Sequence, residues 1–312
     1  MKIFLTIIAV FIISYGWYNY PPKNFPSEIT VTIEKGTSLK SISQTLEDKG
    51  IIRSAFFFRM FIIANGGEKK VMEGDYLFQK QTHASEVAFR ITNGKYGIAP
   101  IKIVIPEGST LSEIVNIFTT NNKLTKFNKN NFIKLTKNKE GYLFPDTYLV
   151  LPNINEKQII KLLTDNFDKK IASIKPKIDI SGKSLKDVIT MASIVEKEAP
   201  KIEDKKIIAG ILWKRIKIGM PLQVDVTFSY IYGISTPKIY YTDLTIDSPY
   251  NLYKNKGLPP SPINNPGLDS ITATVNPTDT KYFYYLSDKK GIMHYAETHD
   301  QHVANKNKYL AK

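Results

Sequence analysis

The N-terminal stretch constrains this chain most, because it is long, apolar and free of charge. No charged residue occurs between Ile3 and Pro22, and residues 3–18 are almost wholly apolar. A helix rises 1.5 Å per residue, so twenty uncharged residues cover about 30 Å, the thickness of a bilayer core. Lys2 precedes the stretch and four aromatic residues follow its apolar part, a pattern typical of a membrane span. The sequence therefore predicts a transmembrane anchor over residues 1–20.

A cleaved signal peptide is the alternative for this segment. Cleavage would need small residues two positions apart, and residues 14–17 offer only a poor version of that pattern. In both cases the rest of the chain lies across the membrane. We therefore expect a single-pass protein of the bacterial cytoplasmic (inner) membrane, with its main part on the periplasmic or outer side.

Composition excludes several classes of function. The chain has 43 Lys and Arg against 29 Asp and Glu, a net charge of +14, yet only four of the basic residues are Arg. Because base-edge readout in DNA relies on Arg, we expect no nucleic-acid partner. The positive charge indicates either a solvated lysine-rich surface or attraction to anionic lipids or wall polymers. The absence of Cys excludes disulfides, thiolate metal sites and a Cys nucleophile.

A strand, a glycine turn and an amphipathic helix occur twice, 72 residues apart. Apolar residues alternate along each strand and recur at helical spacing after each glycine, and a Ser or Thr precedes each helix as a candidate N-cap. The matched positions are Ile29, Ile33, Gly36, Leu39 and Ile42 in the first copy and Ile101, Ile105, Gly108, Leu111 and Ile114 in the second. The repeat predicts two small α+β units of the same construction.

One predicted helix carries the residues best suited to catalysis. Residues 184–199 place a broad apolar arc on one side, and Glu196 and Glu198 fall at the two edges of that arc. A carboxyl group against apolar surface, at the negative end of a helix, has a raised pKa and suits a general acid. The alternative is that one glutamate pairs with a nearby lysine. The pattern does not choose between the two acids.

The region after this helix, residues 219–302, is rich in Pro, Tyr and Asn and predicts long loops around a cleft. Gln223 and Asp225 stand two residues apart, so in an extended segment they face the same side. They either line the cleft or cap the next helix.

Four residues near the C-terminus raise the question of a metal site: His294, Glu297, His299 and His302. A zinc site built from them would have only local ligands and lacks the H-E-x-x-H pattern. We therefore expect no metal and interpret the three histidines as surface residues, with His294 facing the cleft.

An ordered series of motifs resembles the endolytic murein transglycosylase family (MltG, YceG-like). The motifs are EGYLFPDTY at 140–148, MASIVEKE at 191–198, IGMPLQVDVT at 218–227, SPYNLY at 248–253, GLPPSPI at 257–263, NPG at 265–267, NP at 276–277 and YFYY at 282–285. The resemblance implies an α+β protein with an N-terminal transmembrane helix, a small LysM-like α+β subdomain over 28–94 and a larger mixed α+β catalytic domain over 100–312. The open alternative for the subdomain is a spacer without sugar contact.

The resemblance implies an enzyme that cleaves the β-1,4 bond after N-acetylmuramic acid within nascent peptidoglycan strands. Glu198 matches the family's catalytic glutamate. The resemblance also implies that the products carry 1,6-anhydromuramyl ends and that the cut terminates glycan elongation. No cofactor is needed. The expected partners are glycan strands, the bilayer and peptidoglycan synthases. The expected substrate-binding residues are Gln223, Asp225, Tyr250, Asn251 and Tyr253.

Two other functions stay open at this point. A non-catalytic peptidoglycan-binding or scaffold protein of the envelope would share the anchor and the LysM-like unit. A hydrolase would use Glu198 together with Asp225 or Glu196 as a second carboxylate. Val224, Val226 and Leu252 depart from the family's common residues.

Overall fold

The computed structural model describes residues 14–26, 28–234 and 239–310. The predicted anchor falls mainly on residues 1–13, which lie outside the described residues. Among the helices in the described ranges, none combines the length and the apolar character needed to cross a bilayer. The described chain forms two compact units. The first comprises the residues up to Pro100 together with Leu151–Asn153, and the second comprises Ile101–Val150 and the residues from Ile154 onward.

The first unit is a pair of antiparallel strands with two helices between them in the chain and a third helix after them. The elements are β1 Ile29–Ile33, α1 Leu39–Asp48, α2 Ala55–Ala64, β2 Gly74–Phe78 and α3 Ala84–Thr92. Strand β1 buries Val31 and Ile33 and exposes Thr30 and Thr32, as the alternation predicts. These side chains pack on Tyr76 and Phe78 of β2 in the unit's core.

The second unit begins with the same order of elements. They are β3 Ile101–Val104, α4 Leu111–Thr119, α5 Lys129–Thr136 and β4 Thr147–Val150, with β3 and β4 antiparallel. The turn glycines of the two copies, Gly36 and Gly108, have φ values of 79° and 74°, a left-handed conformation that favours glycine. Ser38 and Thr110 each accept a hydrogen bond from the backbone at the start of the following helix. The predicted repeat is therefore confirmed.

The remainder of the second unit is mostly helical. Its helices are α6 Glu156–Ser181, α7 Leu185–Glu198, α8 Ile202–Lys217, α9 Val226–Tyr232, α10 Leu268–Val275 and α11 His299–Leu310. A 3-10 turn covers Tyr241–Thr245, and a hairpin pairs β5 Tyr284–Ser287 with β6 Met293–Ala296. The predicted loop-rich region accordingly contains two short helices, the 3-10 turn and this hairpin.

Helix α7 is the central helix of the second unit. Its N-cap is Ser184, whose hydroxyl accepts from the backbone N–H of Asp187 at 3.1 Å, and every residue from Val188 to Val195 is buried. It packs against α8 and α10. The residue after its end, Ala199, has extended backbone and precedes Pro200, which disfavours a further helical turn. The helix therefore ends with Glu198 held at a fixed place.

Candidate active site

A cleft of about 490 Å³ lies in the second unit where α7 ends. Its lining includes Glu198 at the end of α7, Arg215 of α8, the segment 223–226, Tyr253, and side chains from the β5–β6 hairpin and α11. Glutamate, aspartate, glutamine, arginine, lysine, histidine and tyrosine all face this space. A concave site with several converging polar groups is typical of an active site.

Glu198 is a carboxyl group of the cleft whose pKa is raised to near neutrality. Burial, the largest cause, and the negative charge of Asp225 both raise the pKa of its carboxyl group, which is about 7. A hydrogen bond from the Tyr285 hydroxyl and the positive charge of Arg215 act in the opposite direction. A carboxyl group with a pKa this close to neutrality is able both to give and to take a proton.

Arg215 fixes the wall beside Glu198 rather than pointing freely into the cleft. It is buried, its Nε donates to the carbonyl oxygen of Phe283 at 2.8 Å, and its Nη1 donates to that of Leu222. It thereby ties α8 to the chain before β5 and to the loop before Gln223. A buried guanidinium held by backbone carbonyls keeps its charge in one place, and here that charge acts on Glu198.

Glu196, the other candidate acid, has a structural role in this geometry. Its carboxylate is buried, pairs with buried Lys205 at 3.0 Å, and accepts from the Gly267 N–H at 2.8 Å and from the Ser270 hydroxyl at 2.7 Å. Gly267 is the N-cap of α10. The carboxylate of Glu196 therefore accepts from a backbone N–H at the start of that helix, where such groups have no partner within the helix. The interpretation in which one glutamate pairs with a lysine therefore applies to Glu196, and Glu198 is left for chemistry.

Gln223 and Asp225 line the cleft, which decides between the two possibilities left open for them. The segment buries Leu222 and Val224 and exposes Gln223 and Asp225, so the two polar side chains share a face. Asp225 makes no side-chain bond to the helix that follows, but its Oδ1 accepts from the Tyr253 hydroxyl at 2.6 Å. Gln223 has a φ of 50°, an uncommon conformation that often marks functional sites.

Two of the predicted substrate-binding residues lie outside the lining of the cleft. Asn251 is fully buried, donates from its amide to the carbonyl oxygens of Leu244 and Ile246 at 3.0 and 2.9 Å, and accepts from the Tyr253 N–H. Tyr250 shares a 2.7 Å hydrogen bond with Ser261. In this geometry Asn251 shapes the loop that presents Tyr253, and a sugar would reach its amide only if these bonds broke.

The C-terminal histidines divide between the cleft and the outside. His299 and His302 line the cleft, and the His302 ring stacks on Tyr284 with 5.4 Å between ring centroids. His294 lies elsewhere, bonded to Asp288 at 3.0 Å and stacked on Tyr309, so the expectation that it faces the cleft is wrong. Across the described ranges, no group of three or more His, Asp or Glu side chains is placed to hold a metal ion.

Several cleft residues were missed by the sequence reasoning. Arg215, Tyr285 and Lys306 were not singled out, although all three line the cleft. The spacing of His299 and His302 places them on one helix face. This spacing was the feature of the sequence that could have shown that α11 lines the cleft. Arg215 is a lone arginine among the lysines of helix α8, and this exception was the feature of the sequence that could have pointed to it.

Comparisons with known proteins agree in family. The model of the YceG-like family matches residues 31–308. An endolytic murein transglycosylase of Bacillus subtilis is 30 % identical over 314 aligned positions, covering 93 % of this chain and 87 % of that protein. A second one, from Streptococcus pneumoniae serotype 2, is 30 % identical over 324 positions, and the match covers 90 % of this chain and 59 % of that relative.

A solved structure gives the same answer for the fold. The crystal structure of a YceG-like protein from Listeria monocytogenes superposes with a TM-score of 0.61 at 32 % identity, covering 89 % of this chain and 99 % of that one. The matched stretch contains Glu198 and the rest of the cleft up to residue 308. The chain belongs to the YceG-like family.

Proposed function

We propose that this chain is an endolytic murein transglycosylase, which cleaves peptidoglycan glycan strands internally at the β-1,4 bond after N-acetylmuramic acid. The observation that carries the proposal is Glu198, a carboxyl group with a pKa of about 7 at the end of a rigid helix and on the wall of a polar cleft. The names of the relatives from two bacterial species support the same reaction class.

The first chemical step needs an acid. Protonated Glu198 donates its hydrogen to the glycosidic oxygen while the C1–O4 bond breaks, and positive charge develops at C1 and the ring oxygen of the muramyl sugar. A group with a pKa near the working pH performs this transfer best. Arg215 and Tyr285 stabilise the carboxylate that results, because one supplies positive charge and the other a hydrogen bond.

The second step uses the same carboxylate as a base. The C6 hydroxyl of the muramyl sugar attacks C1, its proton passes to Glu198, and a C1–O6 bond closes the 1,6-anhydro ring. No water is consumed and the enzyme returns to its starting protonation state. Gln223 and Asp225, both exposed in the cleft, are placed to orient sugar hydroxyl and acetamido groups, and Tyr253 offers a ring for a sugar face.

Hydrolysis is the second candidate, and a specific observation favours it: a second carboxylate, that of Asp225, lines the same cleft. In that case Asp225 would activate a water molecule and the product would be a reducing end. The Tyr253 hydroxyl donates to Oδ1 of Asp225 at 2.6 Å and would hold that carboxyl group in one orientation.

The proposal includes a location. The uncharged residues 3–22 support a single membrane anchor, with the catalytic unit on the periplasmic or outer side, where nascent glycan strands are found. Cutting such strands would terminate their elongation, and peptidoglycan synthases are the partners we propose. The β–α–α–β order of the first unit supports a LysM-like subdomain that holds N-acetylated sugars.

Substitution of Glu198 with analysis of the products tests the proposal. Full-length protein is incubated with uncrosslinked glycan strands, and mass spectrometry measures the new ends. The parent should give anhydromuramyl ends, which are lighter than reducing ends by one water, and Glu198→Gln should give none. Lys197→Gln, an exposed neighbour on the same turn, is the matched control and should keep its activity. Reducing ends would indicate the hydrolase, and an active Glu198→Gln variant would remove the assignment.

A further inference from the structure

Helix α2 of the first unit has an apolar face that stays largely exposed among the described residues. Phe56, Phe57, Met60 and Ile63 expose 56, 37, 51 and 45 % of their surfaces. Phe56, Met60 and Ile63 follow the i, i+4, i+7 spacing that puts side chains on one side of a helix. We call these four residues the α2 apolar face. Soluble surfaces rarely expose four large apolar side chains side by side, so this face is suited to an apolar partner.

The N-terminal helical segment at residues 14–19 runs beside this face. Tyr18 stacks on Phe57 with ring centroids 3.9 Å apart, and Tyr15 lies 6.1 Å from Phe61 of the same helix. Between the segment and α2 opens a groove of about 450 Å³ whose lining is mainly aromatic and aliphatic. The α2 apolar face therefore lies next to residues 14–19, the segment that leads from the N-terminal stretch into the first unit.

The segment is fixed to the first unit by polar contacts. Arg53 donates to the carbonyl oxygen of Pro21 at 2.9 Å, and its guanidinium lies 4.3 Å from the centre of the Trp17 ring. The backbone N–H of Ser85 donates to Oδ1 of Asn19 at 2.8 Å. These contacts fix the segment to the rest of the first unit. The fold therefore sets where residue 14, at the start of the segment, lies relative to α2.

We propose that the α2 apolar face docks on the lipid bilayer, with its side chains at the boundary between headgroups and acyl chains. Residues 3–13 carry no charge and contain mostly Ile, Phe, Val, Leu and Ala. Once that stretch is in the bilayer, Tyr15 lies at the interface, where Tyr and Trp are enriched, and the α2 apolar face lies beside it. The inference rests on the anchor included in the proposed function and is independent of the cleavage chemistry.

Lipid accounts for the character of the face better than a protein surface would. The exposed residues are large and flexible or aromatic, the type found on helices that lie in the interfacial plane. The groove contains few polar groups, and a protein partner with a polar rim would find little to pair with there. A second copy of the chain is the competing occupant, and the test distinguishes it from lipid.

The absence of Cys from the chain permits a direct test by site-directed spin labelling. Full-length Phe56→Cys, Met60→Cys and Lys40→Cys variants are labelled with a nitroxide and reconstituted into vesicles of phosphatidylethanolamine and phosphatidylglycerol. Lys40 is exposed on α1 and is the matched control. We expect labels at 56 and 60 to collide with oxygen and to be protected from a water-soluble nickel complex, with the reverse at 40.

Three outcomes would overturn the docking proposal. Labels at 56 and 60 that are as accessible to nickel as the label at 40 would show a face in water. Protection that depends on protein concentration without lipid would show a second copy. An Ile8→Cys label in water would remove the anchor and the docking together. Production of anhydromuramyl ends by the same variants, measured on soluble glycan, reports on the enzyme separately.

Discussion

The raised pKa of Glu198 makes the folded protein less stable at higher pH, and this cost can be measured. The carboxyl group has an ordinary pKa of 4.5 when exposed and one of about 7 in the fold, so the folded state holds the proton more tightly. The contribution of this one group to stability is therefore greatest below pH 4.5 and falls as the pH rises towards 7. A difference of about 2.5 pKa units corresponds to about 3 kcal/mol, since each unit is worth about 1.4 kcal/mol.

Substitution by glutamine should remove this loss, because the amide does not titrate. We expect Glu198→Gln to gain stability relative to the parent as the pH rises from 5 to 8, by up to about 3 kcal/mol. Urea unfolding followed through the fluorescence of Trp213, which lies in the second unit, supplies the free energies. Glu140, with a pKa raised by burial to about 8, is present in both proteins and cancels in the difference.

Glu196→Gln is the matched control on the same helix turn. It leaves Lys205 buried without its carboxylate, which should cost about 3 kcal/mol at every pH between 5 and 8. At temperatures where it is folded, this variant should still produce anhydromuramyl ends. A stability difference between Glu198→Gln and the parent that does not change with pH would refute the view that Glu198 holds a proton near neutrality.

Three further predictions concern the surroundings of Glu198. Tyr285→Phe removes a hydrogen bond to the Glu198 carboxylate that is worth about 2 kcal/mol, so the alkaline limb of kcat/KM should move up by about 1.5 pH units; an unchanged pH profile would contradict the contact. Asp225→Asn keeps an acceptor for Tyr253 but removes the charge that raises the pKa of Glu198, so the same limb should move down. Loss of all cleavage in Asp225→Asn would instead favour hydrolysis. Asn251→Ala should lower the free energy of unfolding, measured in urea, by about 3 kcal/mol, because three backbone groups lose their partner. The pH profile of the remaining activity should stay as in the parent.

Local pattern was sufficient for the elements that position Glu198, the proposed catalytic residue. The apolar arc, the Ser184 cap and Pro200 predict the helix that ends with Glu198, and the structure has it over Leu185–Glu198. The alternation around Gln223 and Asp225 predicts their shared face for the same reason: a periodicity of two or 3.6 residues is a short-range property. The repeat of strand, glycine turn and helix was visible because identical turn geometry needs glycine at the same place.

Contacts between distant residues were beyond such reasoning. Arg215 reaches Phe283, 68 residues away, and Glu196 reaches Gly267, 71 residues away. A local stretch of sequence does not show which of the two glutamates contacts a lysine and the N-terminus of another helix. The choice of Glu198 therefore rests on the family resemblance. The backbone partners of the Asn251 amide, the carbonyl oxygens of Leu244 and Ile246, are likewise not visible from the sequence, because an amide in a loop has the same pattern whether it faces solvent or backbone.

The placement of Glu196 and Glu198 makes helix α7 sensitive to its length. Two residues correspond to 200° of rotation, so the carboxyl groups project to nearly opposite sides, one against Lys205 and α10 and the other into the cleft. A deletion of one residue between Ser184 and Glu196 would turn both carboxyl groups by 100° and leave each in the wrong surroundings. Within this segment, exchanges of apolar residues should be tolerated far better than any change in residue number.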